Sequence, residues 1–356
     1  MRELKDFKNQ IHKCSKCGLC QAACPVYQVT GNDCSVSRGQ FVMLKGVING
    51  DLKMSKRINR YLDLCLKCGA CSKACPSGIN VVDVIVSAKS EYFKSHFFEK
   101  IISFVQRFFV FGLCFNVLNL FRPRIKSKKF DKKVLYFGGC RSKWKGDVAL
   151  AKVLNSIGIE VLNPNFSCCG IPLFTRGDLA GFNKYIKDYV RILKKYDIKE
   201  VVTTCASCEK TLNDYVRWID DEGVKGYLSN IKVRNVYEYI RENELHLKLK
   251  KLCSVTYHKP CNIENFSDIE WILKNTENLN YVEMRDYDKC CGLNGISKLK
   301  EFRVMKEIFK SKRDNIINTG VKSVLTSCLG CEVALKFYSL GAYKTYDMLE
   351  FLAKRL

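Results

Sequence analysis

Histidine is scarce, with 4 in 356 residues, and His12, His96, His246 and His258 stand far apart with no H-E-x-x-H among them. Two-histidine zinc-hydrolase chemistry is therefore excluded. The chain also lacks a glycine-rich dinucleotide fingerprint after a strand and a P-loop, so no organic hydride acceptor or nucleotide site is visible. Met1 to His12 is polar and charged, without the apolar core of a signal peptide, which leads us to expect a reducing, cytoplasmic setting in which disulfides are rare. Long hydrophobic runs are missing as well. The uncharged run Phe108 to Phe121 falls short of the roughly 18 residues read as a spanning helix. Acidic residues are few, 36 Asp plus Glu against 60 Lys plus Arg, and the net charge of +24 fits nucleic acid, an acidic partner or an anionic membrane without choosing among them. With 47% apolar residues the chain can bury ordinary cores, and its length suits two or three domains.

Cysteine is what the chain has in excess, 21 of them. Many thiols in a reducing compartment point to metal. Cys14, Cys17, Cys20 and Cys24 follow C-x2-C-x2-C-x3-C with Pro25 next, and Cys65, Cys68, Cys71 and Cys75 repeat the spacing with Pro76 next. In this ferredoxin run three closely spaced thiolates reach three corners of one cubane, while the fourth, before the proline, serves the other cluster. One [4Fe-4S] cluster is thus assigned to Cys14, Cys17, Cys20 and Cys75, and a second to Cys65, Cys68, Cys71 and Cys24. Structural zinc sites use two C-x2-C pairs instead of three thiols in a row plus Cys-Pro. Between the runs, Phe41, Leu44, Val47 and Ile48, then Ile58, Tyr61, Leu62 and Leu64, recur at helical spacing with Gly50 as a stop, so a mostly helical domain is predicted.

Ten further cysteines form an internal repeat. Cys140, Cys168, Cys169, Cys205 and Cys208 recur as Cys261, Cys290, Cys291, Cys328 and Cys331, offset by 121 to 123 residues. Each first cysteine closely follows an apolar run, Val134 to Phe137 or Val255 to Tyr257. Glycine follows each Cys-Cys pair, as Gly170 and Gly292. Each closing C-x2-C follows another apolar run, Val201-Val202 or Val321 to Leu325, after amphipathic stretches such as Tyr185 to Leu193 and Phe302 to Phe309. Alternating strands and helices predict two similar α/β domains with mainly parallel sheets, whose strand ends would gather five thiols at one edge. Five soft ligands exceed what tetrahedral zinc needs, and adjacent thiolates can bridge irons; a duplicated zinc site is the alternative. Cys34, Cys114 and Cys253 fit no cluster spacing. His258, before Cys261, reads as a hydrogen-bonded loop histidine, with tuning or proton transfer near a cluster as the alternative.

The expected class is α+β multidomain: a helical ferredoxin-like dicluster domain over residues 1–95, an amphipathic and basic linker over 96–132, and two duplicated α/β cysteine-rich domains over 133–248 and 249–356. In the linker the apolar stretch to Phe121 is followed by Arg122, Arg124, Lys126, Lys128, Lys129, Lys132 and Lys133 with only Asp131 opposing. That pattern suits peripheral contact with an anionic cytoplasmic membrane face, and equally a partner subunit or the chain's own core, with Phe108, Phe111 and Phe115 as the covering side chains. A basic zinc protein binding nucleic acid is set aside, because the ferredoxin spacing is present and RNA-reading aromatic motifs are not.

The paired five-cysteine motif, each with Cys-Cys-Gly, resembles the cysteine-rich domains of heterodisulfide reductases and of the iron-sulfur subunits of anaerobic glycerol-3-phosphate dehydrogenase and glycolate oxidase. The order of two ferredoxin runs and two such domains is similar to the glycolate oxidase iron-sulfur subunit over essentially the whole chain. Cys24-Pro25-Val26-Tyr27 through Gly31 to Val36-Ser37-Arg38-Gly39-Gln40 resembles that subunit's C-P-x-Y, Gly and S-P-R-G-R sequence, and Tyr257-His258-Lys259-Pro260-Cys261 its His-x-Pro-Cys. Ser37 and Gln40 depart from it, and the complete Cys205 and Cys208 pair leans toward the heterodisulfide reductase relatives. The resemblance implies one or two further clusters, of the non-cubane [4Fe-4S] kind, in the five-cysteine sets, with zinc as the alternative in the first. It also implies an electron-transfer subunit that is not catalytic alone. Its partner would be an FAD-containing 2-hydroxyacid dehydrogenase subunit oxidising glycolate or D-lactate, with electrons passing toward quinone or another carrier. In a heterodisulfide reductase-like protein the cysteine-rich cluster would instead reduce a disulfide.

Overall fold

The computed structural model describes residues 2–105, 125–141, 144–164, 166, 168–293 and 302–356, with side chains undescribed at 141, 144, 145 and 302. Contacts divide the chain into two compact units. One is Met1–Gln106 with Gly170–Phe182 and Lys289–Ser311; the other is Arg107–Cys169, Asn183–Asp288 and Lys312–Leu356.

The first unit is helical. The predicted periodic segments form the helices Ser37–Asn49 and Lys56–Leu64, and Gly50 closes the former in the left-handed region at φ 86°. A side chain there would be strained, which is why glycine ends the helix. Leu44 and Leu62 are completely buried against Val84 and Ile85 of the helix Val81–Ser95. Each such leucine contributes about 2 kcal/mol by leaving water. The helix Val81–Ser95 also buries a charge. Lys89, 3% exposed, pairs with Asp63 Oδ1 at 2.7 Å and donates to the Thr175 carbonyl at 2.8 Å. Thr175 belongs to the strap Gly170–Phe182, which is fastened again by Arg176 to Glu99 at 3.3 Å and by Ser103 donating to Asp178 at 2.5 Å. Gly177 in that strap, at φ 94°, presses on the Lys89 backbone so closely that a Cβ would lie 2.6 Å from the Lys89 carbonyl carbon.

Of the expected amphipathic linker, the helix Phe97–Val105 is described, and Phe97, Phe98, Ile102 and Phe104 are exposed on it. Phe108, Phe111, Cys114 and Phe115 lie outside the described residues. Among the described residues no helix is long and apolar enough to cross a membrane.

The second unit holds two parallel four-stranded sheets. In the first, β1 (Lys132–Tyr136), β2 (Ile159–Leu162), β3 (Glu200–Thr203) and β4 (Lys232–Asn235) lie in the order β2-β1-β3-β4. In the second, β5 (Lys248–Tyr257), β6 (Glu277–Tyr281), β7 (Ser323–Thr326) and β8 (Lys344–Asp347) repeat it as β6-β5-β7-β8. The register repeats too. Leu135 and Tyr136 pair with Val201 and Val202, while Thr256 and Tyr257 pair with Val324 and Leu325. β5 is longer than its apolar run predicts, and its pairing with β6 is interrupted between Lys248 and Cys253. One hydrophobic core serves both repeats, joining Tyr237 and Ile240 to Met348 and Phe351.

Candidate iron-sulfur centres

In the helical unit the two ferredoxin loops have the same backbone twist. Lys16 and Lys67, each just before the second cysteine of its run, sit at φ 58° and 54°, a conformation that costs a lysine about 1 kcal/mol or more and that turns the flanking thiols toward one point. Two small pockets lie at these loops. Cys14, Cys17, Cys20 and Cys75 line one, together with Arg38; Cys24, Cys65 and Cys68 line the other, and Cys71 borders both. The fourth cysteine of each run thus faces the cavity of the opposite run. Burial pushes the Cys24 thiol up to about 11 and raises Cys71 further, so neither thiol ionises readily without a cation to offset the charge. The Lys67 amide donates to Cys65 Sγ at 3.4 Å. Within the same unit Cys290 hydrogen-bonds Cys68, and that bond pulls the Cys68 thiol below its usual range.

In the α/β unit the first five-cysteine set closes on itself. Cys140 follows β1, Cys168 and Cys169 follow β2, and Cys205 follows β3, so three adjacent strands deliver them to the carboxyl edge of the sheet. This is the edge, on either side of the strand-order reversal, where open α/β sheets bind ligands. Cys168 hydrogen-bonds Cys140 and Cys169, and Cys208 hydrogen-bonds Cys169 and Cys205, which links all five sulfurs in one chain. The bond to Cys140, that to Cys169 and burial hold the Cys168 thiol well above its ordinary range; the bonds to Cys169 and Cys205 do the same for Cys208. Five sulfurs crowded together, with Cys168 and Cys208 held against ionising, fit a polynuclear cation that takes them as thiolates. Tyr215 donates to the Cys169 carbonyl at 2.9 Å, and Gly139 leaves room for Cys208 Sγ, which a Cβ would approach to 3.3 Å.

The second set is divided between the units: Cys261, Cys328 and Cys331 lie in the α/β unit, Cys290 and Cys291 in the helical one. Cys328 precedes the helix Leu329–Tyr338 as Cys205 precedes Ala206–Trp218, and the helix dipole favours a thiolate at both places. Cys328 hydrogen-bonds Cys205 of the first set and Cys331 of its own; the bond to Cys205 raises the Cys328 thiol, and the Ser207 hydroxyl at 3.1 Å acts in the opposite sense. His258 is fully buried, with a ring nitrogen within 4.8 Å of Cys331 Sγ. Cys34 and Cys253 are half-buried, Cys34 in a 3-10 turn and Cys253 on β5. Sequence reasoning passed over Ser207 and the Cys68–Cys290 contact. A position-by-position comparison of the two C-x2-C pairs would have marked the serine; no local pattern marks the contact.

Family comparisons agree with this layout. The 4Fe-4S dicluster domain matches residues 10–79, and the cysteine-rich domain matches twice, at residues 134–213 and 255–336. A probable glycolate oxidase iron-sulfur subunit of Bacillus subtilis (strain 168) is 22% identical, over 94% of this chain and 92% of its own length. One subunit of the dihydromethanophenazine:CoB--CoM heterodisulfide reductase of Methanosarcina acetivorans is 23% identical, over 91% of this chain and 88% of its own length. A hypothetical protein from Helicobacter pylori shares the fold in its crystal structure, with a TM-score of 0.54 at 13% identity, covering 88% of this chain and 67% of that one. The chain therefore carries a 4Fe-4S dicluster domain followed by two cysteine-rich domains, and over most of its length it is similar to iron-sulfur subunits of glycolate oxidase and to a heterodisulfide reductase subunit.

Proposed function

We propose that the chain is the electron-transfer subunit of a flavin-dependent 2-hydroxyacid dehydrogenase, taking electrons from an FAD-containing partner that oxidises glycolate or D-lactate and passing them toward quinone or another carrier. The observation that carries this reading is the Cys68–Cys290 hydrogen bond, which brings a thiol of the second ferredoxin run against the Cys-Cys-Gly loop of the second repeat. When bound, iron-sulfur clusters supply one-electron carriers whose potentials follow cluster type, hydrogen bonds to sulfur and exposure. The chain's own residues do the rest. The ligand sets are Cys14, Cys17, Cys20 and Cys75; Cys65, Cys68, Cys71 and Cys24; and the two five-cysteine sets. The left-handed Lys16 and Lys67 shape the loops, and Lys89 with Asp63 fixes the strap that continues from Cys169. Oxidation of the substrate is assigned to the partner, in keeping with a chain whose candidate residues are four sets of thiols suited to one-electron carriers.

The exposed Phe97, Phe98, Ile102 and Phe104 precede the polybasic run in sequence, a combination suited to shallow seating of the complex at an anionic cytoplasmic membrane face. A heterodisulfide reductase-like role is the second reading. It is favoured by the Cys205–Cys328 contact, which sets thiols of both five-cysteine sets together where a disulfide substrate would meet them. Anaerobic purification from the native host separates the two. Bleaching of the visible iron-sulfur absorbance by glycolate or D-lactate, with a co-purifying flavoprotein, supports the hydroxyacid reading. No bleaching by either, with reoxidation of the reduced centres by a thiol disulfide, replaces it with the second.

A further inference from the structure

The duplication allows the two cysteine-rich sites to be compared atom for atom, and they are not equivalent. Cys205 corresponds to Cys328 and Cys208 to Cys331, so Ser207 of the first repeat corresponds to Gly330 of the second. The same backbone bond, Phe137 amide to Val202 carbonyl at 2.8 Å and His258 amide to Leu325 carbonyl at 2.9 Å, makes Phe137 the counterpart of His258. Around the first set the neighbours are aromatic, Phe137 with Phe166 and Tyr189 at ring separations of 5.0 and 6.0 Å. The second set has hydrogen-bonding neighbours instead. Ser207 reaches across from the first repeat, 3.1 Å from Cys328 Sγ, and its approach is fixed by the Ala206 amide donating to the Ser327 carbonyl at 3.0 Å.

The direction of that contact follows from the state of the sulfur. Asn262 Nδ2 donates to Ser207 Oγ at 2.9 Å, and a Cys328 sulfur acting as a ligand is a thiolate with no proton to give, so at a loaded site the serine hydroxyl is the donor. The amide polarises the hydroxyl, and the pair delivers a charge-assisted hydrogen bond to a Cys328 thiolate. Such a bond is stronger when an added electron makes the sulfur more negative, so it stabilises the reduced form of whatever cluster Cys328 holds. Gly330 has no side chain with which to do the same for Cys205.

We propose that the Ser207 hydroxyl, donated across the repeat boundary to Cys328, sets the second cysteine-rich site at a higher reduction potential than the first, so that electrons come to rest on the C-terminal repeat. Ser207 is a positioning residue for charge, not a ligand. The inference rests on the iron-sulfur reading of the second site.

The test uses the full chain, purified anaerobically with its partners and titrated potentiometrically by electron paramagnetic resonance. The signal lost in Cys331→Ser identifies the second site. Ser207→Ala should lower the reduced-to-oxidised ratio of that signal at a fixed potential by roughly tenfold, a shift of about 59 mV downward for one electron, and leave the cubane signals in place. Ser207→Thr, which keeps the hydroxyl, should restore both iron content and potential. An unshifted or raised potential in Ser207→Ala with full iron, or failure of Ser207→Thr to restore what Ser207→Ala loses, overturns the proposal. A wild-type protein with zinc and no redox signal dependent on Cys331 overturns the iron-sulfur reading of that site and the proposal with it.

Discussion

Lys89 Nζ lies 2.7 Å from Asp63 Oδ1, with the lysine almost wholly buried and the aspartate partly open to water. The asymmetry decides which partner matters more. Asp63→Asn removes the counter-charge and leaves a buried ammonium with only neutral acceptors, and should cost about 3 kcal/mol; Lys89→Met leaves a carboxylate that water can still reach and should cost about 1 kcal/mol. Anaerobic urea unfolding followed by circular dichroism checks the order, and an Lys89→Met variant less stable than Asp63→Asn would contradict it.

Two glycines with positive φ should behave differently. Gly50→Ala meets no atom within 4 Å and bears only left-handed strain, about 1 kcal/mol. Gly177→Ala would in addition drive its methyl into the Lys89 backbone, which cannot swing aside as a side chain can, and should cost about 3 kcal/mol. The same unfolding measurement compares them; equal losses would mean that the strap is not held against the helix Val81–Ser95.

The ligand sets predict separable losses. Cys20→Ser should degrade one cubane cluster and leave the spectrum of the cysteine-rich centres, while Cys291→Ser should do the converse. Iron analysis and low-temperature spectra report both. Loss of a zinc signal alone from Cys20→Ser would refute the ferredoxin assignment.

Glu3 offers a test of charge. Its hydrogen bonds with Lys94 and then Lys5 hold its carboxyl down to about 2, so the stability that its ionised form contributes is present above pH 4.5 and is lost as pH falls through about 2. The pairs are exposed, so the contribution should be small and shrink with salt. A carbon-13 titration of the Glu3 carboxyl should find the low midpoint and see it move back toward 4.5 in Lys94→Ala.

Much of this architecture is legible in the sequence because it is periodic or duplicated. Val134 to Phe137 marks β1, Gly50 marks a helix end, and the repeated cysteine spacing leads to repeated sheets with the same strand order. What escapes is long-range and aperiodic. Lys89 resembles any surface lysine on a helix until Asp63 and Thr175 close over it, and nothing near Gly170 or Lys289 announces that those segments pack with the helical domain. His258 lies in the loop just past β5, as the sequence suggests, but its complete burial beside Cys331 is not legible there, because the β5 pairing that carries it inward is set by partners far along the chain.

The helical unit takes Gly170–Phe182 from the middle of the chain and Lys289–Ser311 from its last quarter. A ribosome delivers the ferredoxin runs first, so the nascent dicluster domain lacks the strap that covers Lys89 until Phe182 is made and the loop that meets Cys68 until after Lys289. The biosynthetic machinery that loads iron therefore meets either an incomplete receptor or a finished chain, and expressing the first hundred residues alone should yield a domain that takes up clusters poorly.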